Sequence, residues 1–271
     1  MGAQLTALER QQHTPCGEGV MVWRCWGPPS ARPVLLLHGG SGSWTHWIRN
    51  IPTLLAEGHQ VWAPDLPGFG DSASLPEGSD ADAIVPHLLA GLRALPVKAP
   101  WEVVPFSFGS LVACLLASAH PDMVSRLLLV GLPILPLASG RGVRLAPVGA
   151  AATPAERAAA HRANLEAIML HRADSIDDDT VALQAANAAR DRMRTRRLVT
   201  TDVCLKALLS LSCPFACIWG QEDVLYRGRW DQVRAACLGN TRCTGLHLVP
   251  DAGHWVQYEA ADEFNRRMLA W

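Results

Sequence analysis

The chain has 271 residues, a length that suits one large domain better than two, and its 24 Lys and Arg against 25 Asp and Glu leave a formal net charge of -1. A balance this even makes no field that would gather phosphates or anionic lipid, so nucleic acid and membrane surfaces are set aside as partners. With 49% hydrophobic residues the chain can fill a core, yet no apolar run approaches the roughly 20 residues that span a bilayer.

Residues Met1 to Cys16 include Glu9 and Arg10 and lack the apolar stretch of a signal peptide, so a cytoplasmic location is the expectation. The eight cysteines form no C-x-x-C pair, which favours reduced core thiols over a zinc site. Short apolar runs then alternate with helix-like stretches, the rhythm of βαβ units and a mostly parallel sheet with helices on both faces. Val34 to Leu37, Gln60 to Ala63, Glu102 to Val104 and Arg126 to Val130 read as buried strands. Between them the spacing predicts one helix from about Trp44 to Glu57, closed by Gly58. A second is predicted from Ser79, where Asp82 completes a capping box and Ile84, Leu88, Leu92 and Leu95 share one face.

After Leu132 the rhythm breaks, and residues 133–210 offer helix starts but no strand. Thr153-Pro154-Ala155-Glu156 is a capping box with proline at the first helical position, and Ser175 with Asp178 suggests another start. Residues 133–210 are therefore expected to be a helical insertion into a core made of residues 1–132 and 211–271. Strand signals return at Phe215 to Trp219 and Leu246 to Val249, and a last helix is predicted from about Ala260.

The chemistry concentrates where strands end. Glu102 to Val104 runs through Pro105-Phe106-Ser107-Phe108-Gly109-Ser110 into an apolar helix, the strand-turn-helix corner that exposes a serine hydroxyl above a sheet. The pattern is G-x-S-x-G with Pro105 in place of the first glycine, and a proline cannot donate to a sheet ladder. A hydroxyl is a weak nucleophile at neutral pH, so it needs a base and a group to orient that base. Trp219-Gly220-Gln221-Glu222-Asp223 and Asp251-Ala252-Gly253-His254-Trp255 each follow a strand, which brings Asp223 and His254 to the same sheet edge as Ser107 in the order Ser, Asp, His. Glu222 competes with Asp223 but points away if the turn is tight, and Asp251 reads as a turn former. Donors for the developing oxyanion are the amide of Gly40, in the turn His38-Gly39-Gly40-Ser41-Gly42, and that of Phe108. Chemistry of this kind uses no cofactor and no metal.

Other residues read as structural. His38 is a turn residue, Asp65 to Ser72 lacks the lysine of a P-loop and is a packing turn, and the basic run Arg190 to Arg197 is a solvated helix face.

On these motifs the chain resembles the α/β-hydrolase superfamily over nearly its whole length, which implies an eight-stranded sheet with the helical cap inserted after its sixth strand. Gly253-His254-Trp255-Val256-Gln257-Tyr258-Glu259, with Ala261-Asp262-Glu263-Phe264-Asn265, is similar to the C-terminal signature of the meta-cleavage product hydrolases, which cleave carbon-carbon bonds, and of related serine esterases. That resemblance places His46 and Phe106 where the carbon-carbon hydrolases have asparagines, and Gln184 where they have a cap arginine, with Arg190 the nearest substitute. The expected substrate contacts are Ser41, His46 and Trp255. An ester of a small hydrophobic, neutral group is the expected small-molecule substrate, carbon-carbon cleavage is the alternative, and a non-catalytic ligand receptor on the same fold is the third. A homo-oligomer is compatible with all three.

Overall fold

The computed structural model describes residues 2–136, 145–149, 153–193 and 195–271. Eight strands form one sheet: β1 (Arg10–Cys16), β2 (Gly19–Trp26), β3 (Arg32–Leu37), β4 (His59–Pro64), β5 (Trp101–Pro105), β6 (Val124–Val130), β7 (Phe215–Gly220) and β8 (Cys243–Val249). Their spatial order is β1-β2-β4-β3-β5-β6-β7-β8. β2 is antiparallel to both its neighbours and every other pairing is parallel. The helices are α1 (Gly2–Leu8), α2 (Ile51–Ala56), α3 (Ala81–Ala94), α4 (Phe108–Ala119), α5 (Pro154–Asn164), α6 (Asp178–Ala189), α7 (Val203–Leu209), α8 (Trp230–Leu238), α9 (Val256–Glu259) and α10 (Ala261–Ala270). Among the described residues, no helix is long and apolar enough to cross a membrane.

The alternation of side chains along each strand divides the core into two layers. Leu35, Leu37, Val103, Leu127, Leu129, Cys217 and Trp219 face one side, where α3, α4, α7 and α8 pack. Val34, Leu36, Val104, Leu128, Val130, Ala216 and Ile218 face the other, with Ile51 and Leu54 of α2 and Phe264 and Met268 of α10. All eight cysteines are free, seven of them buried.

Several local expectations are corrected. The stretch from Trp44 to Glu57 is two pieces: a 3-10 turn over Trp44–Trp47 capped by Ser43, then α2 with Pro52 in its first turn. Proline has no N–H to continue a helix entering from the left, so it sits at a restart. The cap of α3 is Asp80, whose carboxylate accepts from the amide of Ala81, not Ser79. Similarly α6 is capped by Asp177, which accepts from Thr180, while Ser175 closes a separate 3-10 turn. The Thr153–Glu156 capping box of α5 has both of its hydrogen bonds. α7, at the end of the expected insertion, sends Cys204, Ala207 and Leu208 into the core cluster with α4, so the segment that covers the sheet edge is α5, α6 and their flanking turns.

One glycine governs how the sheet meets α4. A Cβ on Gly109 would lie 2.5 Å from the carbonyl oxygen of His38 and 2.9 Å from that of Leu37, so α4 can start this close to β3 only without a side chain there. Gly109→Ala is therefore expected to lower stability by about 1–3 kcal/mol, measured as a drop of several degrees in Tm by calorimetry.

Candidate active site

Ser107 stands between the end of β5 and the start of α4 with φ 50° and ψ -115°. A non-glycine residue in this region stores on the order of 1–3 kcal/mol and needs its surroundings to hold it. Its amide donates to Val130 O at 2.8 Å, that of Phe106 to Leu37 O at 2.8 Å, and the Ser110 hydroxyl reaches Pro105 O and Val130 O. Pro105 lies where the β5–β6 ladder is interrupted: registered pairing ends at Val103 with Leu127 and resumes as a bridge from Phe106 to Val130. The missing N–H thus falls in a gap of the ladder, and the corner forms with proline in the first-glycine position.

The turn after β7 brings Asp223 to full burial, and the turn after β8 brings His254 beside it. Asp223 Oδ2 lies 2.7 Å from His254 Nδ1, and His254 Nε2 lies 2.9 Å from Ser107 Oγ. A carboxylate only accepts, so the proton on Nδ1 is directed to Asp223 and Nε2 is left to accept from the serine. The other carboxylate oxygen of Asp223 accepts from the amide of Leu225. Glu222 turns toward Arg227, 4.0 Å away, and Asp251 occupies a left-handed turn position with φ 53° at the surface. The histidine turn is anchored by Glu259, whose carboxylate accepts from the amides of Gly253, His171 and Arg172 at 2.6, 2.8 and 2.7 Å. Trp255 N donates to Met169 O, a second tie between this turn and the segment leading to α6.

Across the serine lies the turn after β3. His38 is buried, accepts from Leu66 N on Nε2 and donates from Nδ1 to Gly39 O. The amides of Gly40 and Phe108 donate to none of the described residues, and both residues line the same cavity as Ser107 and His254. That cavity holds about 310 Å³ and is walled largely by apolar side chains such as Pro133, Leu165, Ile168, Met169 and Leu225.

Of the three expected substrate contacts only Ser41 lines this cavity. His46 and Trp255 are corrections: both are fully buried one layer behind it. His46 packs against Phe106 and Trp255 at ring distances of 5.4 and 4.8 Å, and Trp255 stacks on Tyr258 at 4.1 Å while its indole donates to His46 O. Arg190 pairs with Asp71 at the surface, but Arg196 of the same basic run reaches inward to the cavity wall, against Ser41 and Gly40. Gln184 is there as well. Nothing in the charge run marks Arg196 apart from its neighbours; its partner Asp191 is the signal, a carboxylate inside an otherwise basic stretch. Among the described residues no group of three His, Cys, Asp or Glu is placed to hold a metal ion.

Residues 32–261 match the family model described as the alpha/beta hydrolase fold. The chain is 29% identical to the dihydrolipoyllysine-residue acetyltransferase component of an acetoin cleaving system from Pseudomonas putida, over 99% of this chain and 71% of that protein. It is 27% identical to a 2-hydroxy-6-oxononadienedioate/2-hydroxy-6-oxononatrienedioate hydrolase of Cupriavidus pinatubonensis, over 88% and 86% of the two chains. Among solved structures, a meta-cleavage product hydrolase from Pseudomonas fluorescens superposes with a TM-score of 0.77 at 22% identity over 96% of each chain. A thermophilic esterase from Thermogutta terrifontis gives 0.70 at 20% over 97% of each.

Burial pushes His38 below the ordinary histidine range and His46 well below it, with the neighbouring His38 and His254 rings adding to the effect on His46. Both stay neutral while the unfolded chain takes up protons, so the folded state loses stability as pH falls below about 6.5, by about 1.4 kcal/mol per pH unit for each ring until its own pKa is reached. Urea unfolding at pH 7.5 and pH 5.5 should show that loss, and in His46→Gln the difference between the two pH values should shrink by about 1 kcal/mol.

Proposed function

Because the chain belongs to the α/β-hydrolase fold family, we propose that it is a serine hydrolase working through an acyl-enzyme, and that its substrate is a small hydrophobic carboxylic ester. The observation that carries this reading is the unbroken relay from Asp223 through His254 to Ser107, at 2.7 and 2.9 Å, opening onto an apolar cavity.

The steps follow from the geometry. Ser107 Oγ attacks the ester carbonyl while His254 Nε2 takes its proton, and Asp223 holds and stabilises the imidazolium. The carbonyl oxygen becomes an oxyanion facing the free amides of Gly40 and Phe108, donors worth about 2.7–4 kcal/mol each by precedent. Collapse breaks the bond to the alcohol, which leaves with the proton from His254. Water then attacks the acyl-serine, again giving its proton to His254, and the acid departs as Ser107 recovers its hydrogen. One ester and one water become one acid and one alcohol. The segment that carries α5 and α6, in this reading, acts as a cap that bounds the substrate.

Carbon-carbon cleavage of a carboxylated dienone is the second reading, favoured by Arg196 at the cavity wall and by relatives named for that activity. The ester is preferred because Arg196 already pairs with Asp191 at 2.7 Å. A substrate carboxylate would have to compete with that buried partner, and leaving either charge unpaired is costly.

Ser107→Ala is expected to cut turnover of a p-nitrophenyl ester at least about 10³-fold and to abolish labelling by a fluorophosphonate that marks the wild type. An unlabelled wild type with an accessible cavity would move the chain to the ligand-receptor reading. The wild type should also show a kcat/KM for a short aryl ester at least about tenfold above that for a 2-hydroxy-6-oxo-dienoate, a margin of about 1.4 kcal/mol. The reverse order, with dienoate cleavage lost in Arg196→Gln, would establish the carbon-carbon hydrolase instead.

A further inference from the structure

The turn that carries Gly40 is poorly held by the core. On the sheet side Gly39 is fixed through His38 and by its own amide on His46 Nδ1 at 3.2 Å, and the next ties to the core are Trp44 N, which donates to Asp65 Oδ1 at 2.9 Å, and His46 N, which donates to Ser43 O. Between these points Ser41 has φ 49°, a left-handed conformation that a serine does not hold unaided.

What holds it comes from the segment above. Gln184 and Asn187 lie three residues apart on α6, and Asp191 follows four residues later, just past the C-cap at Arg190. This spacing keeps the three on one side of the element. Gln184 Nε2 donates to Ser41 O at 3.2 Å, Asn187 accepts from Ser43 Oγ at 2.8 Å, and Asp191 Oδ2 accepts from Ser41 Oγ at 2.6 Å. Asp191 is fixed in turn. Its Oδ1 accepts from Met193 N at 2.9 Å, and its Oδ2 pairs with Arg196, whose other terminal nitrogen reaches Ser41 Oγ at 3.2 Å. The Arg196 guanidinium lies over Gly40, so that a Cβ there would be 2.9 Å from its Nε.

We propose that Asp191, supported by Arg196, is a positioning residue for the oxyanion hole: by holding the Ser41 hydroxyl it keeps the neighbouring amide of Gly40 aimed at the reacting carbonyl. The inference rests on the serine-hydrolase reading. It assigns to the covering segment a part in the chemical step as well as in substrate choice. A part-buried, charge-assisted hydrogen bond is strong enough to offset the strain at Ser41, and a donor that must be in place before charge develops contributes to the transition state and not to ground-state binding.

The test compares Asp191→Ala, Asp191→Asn, Ser41→Ala and the Ser41→Ala/Asp191→Ala double variant with wild type on a p-nitrophenyl ester. Asp191→Ala should lower kcat about 10- to 100-fold with KM within about threefold, and should weaken a trifluoromethyl ketone, which forms an oxyanion adduct on the serine, by the same factor. Asp191→Asn keeps an acceptor and should recover most of the loss. The double variant should be no slower than the slower single one, because both break the same contact. A second readout needs no turnover: ¹⁵N order parameters at Gly40 and Ser41 should fall from about 0.85 to below about 0.6 in Asp191→Ala. Unchanged order parameters, strictly additive losses, or a raised KM at unchanged kcat would overturn the proposal. If wild-type Ser107 takes no fluorophosphonate, the hydrolase reading fails by itself, and the order parameters still decide whether Asp191 holds the turn.

Discussion

Ser107 must hold a backbone conformation that its side chain disfavours while presenting that side chain to solvent, and most of the architecture near the site can be traced to this demand. The hydrogen bond from the Ser107 amide to Val130 O ties the corner to β6, the Ser110 hydroxyl bridges β5 and β6 beneath it, and the bare face of Gly109 lets α4 begin against the carbonyls of Leu37 and His38. A parallel sheet makes this affordable, since central strands buried on both faces are rigid enough to impose local geometry on the turns that leave them. Asp223 and His254 leave the next two strands at the same edge, so a register fixed by strand pairing also sets the distances of the relay.

The covering segment meets the core along two seams of different character. On the histidine side the contacts are largely to backbone: Glu259 gathers three amides, and Trp255 N reaches Met169 O. On the serine side they are made by side chains: Gln184, Asn187 and Asp191 bond a turn that the sheet leaves loose. The cavity lies between the seams, which is why its wall combines residues of the sheet edge, such as Gly40 and Ser107, with residues of the covering segment, such as Leu165 and Gln184.

How much of this could be read from the chain alone depends on how local the determining physics is. That Ser107, Asp223 and His254 lie side by side was legible because each sits in a turn directly after an apolar strand, where chain order and sheet edge together predict convergence. The strands of the parallel part were legible for the same reason. β1 was not, since it is a polar edge strand with most side chains in water and its pairing with β2 shows no alternation to detect. His46 and Trp255 misled because nearness in sequence to a motif says nothing about which way a ring points; both turn back into the core, where stacking stabilises them. Arg196 was hidden among like charges, because its role depends on Asp191 and Ser41, and the Ser41 contact spans 155 positions.

Glu259 carries an implication for variation of the molecule. A single carboxylate accepts amides both from the turn that carries His254 and from the chain entering α6. The insertion is consequently not an interchangeable module. A foreign segment grafted between β6 and β7 would have to supply two adjacent amides for Glu259 and three acceptor or donor side chains, at the spacing of 184, 187 and 191, for the serine-side turn. Freedom to drift in length and composition belongs instead to the outer part around α5, whose first turn is exposed to solvent. Diversification of substrate range on this scaffold would therefore proceed by remodelling the outer wall while the inner contacts stay constant.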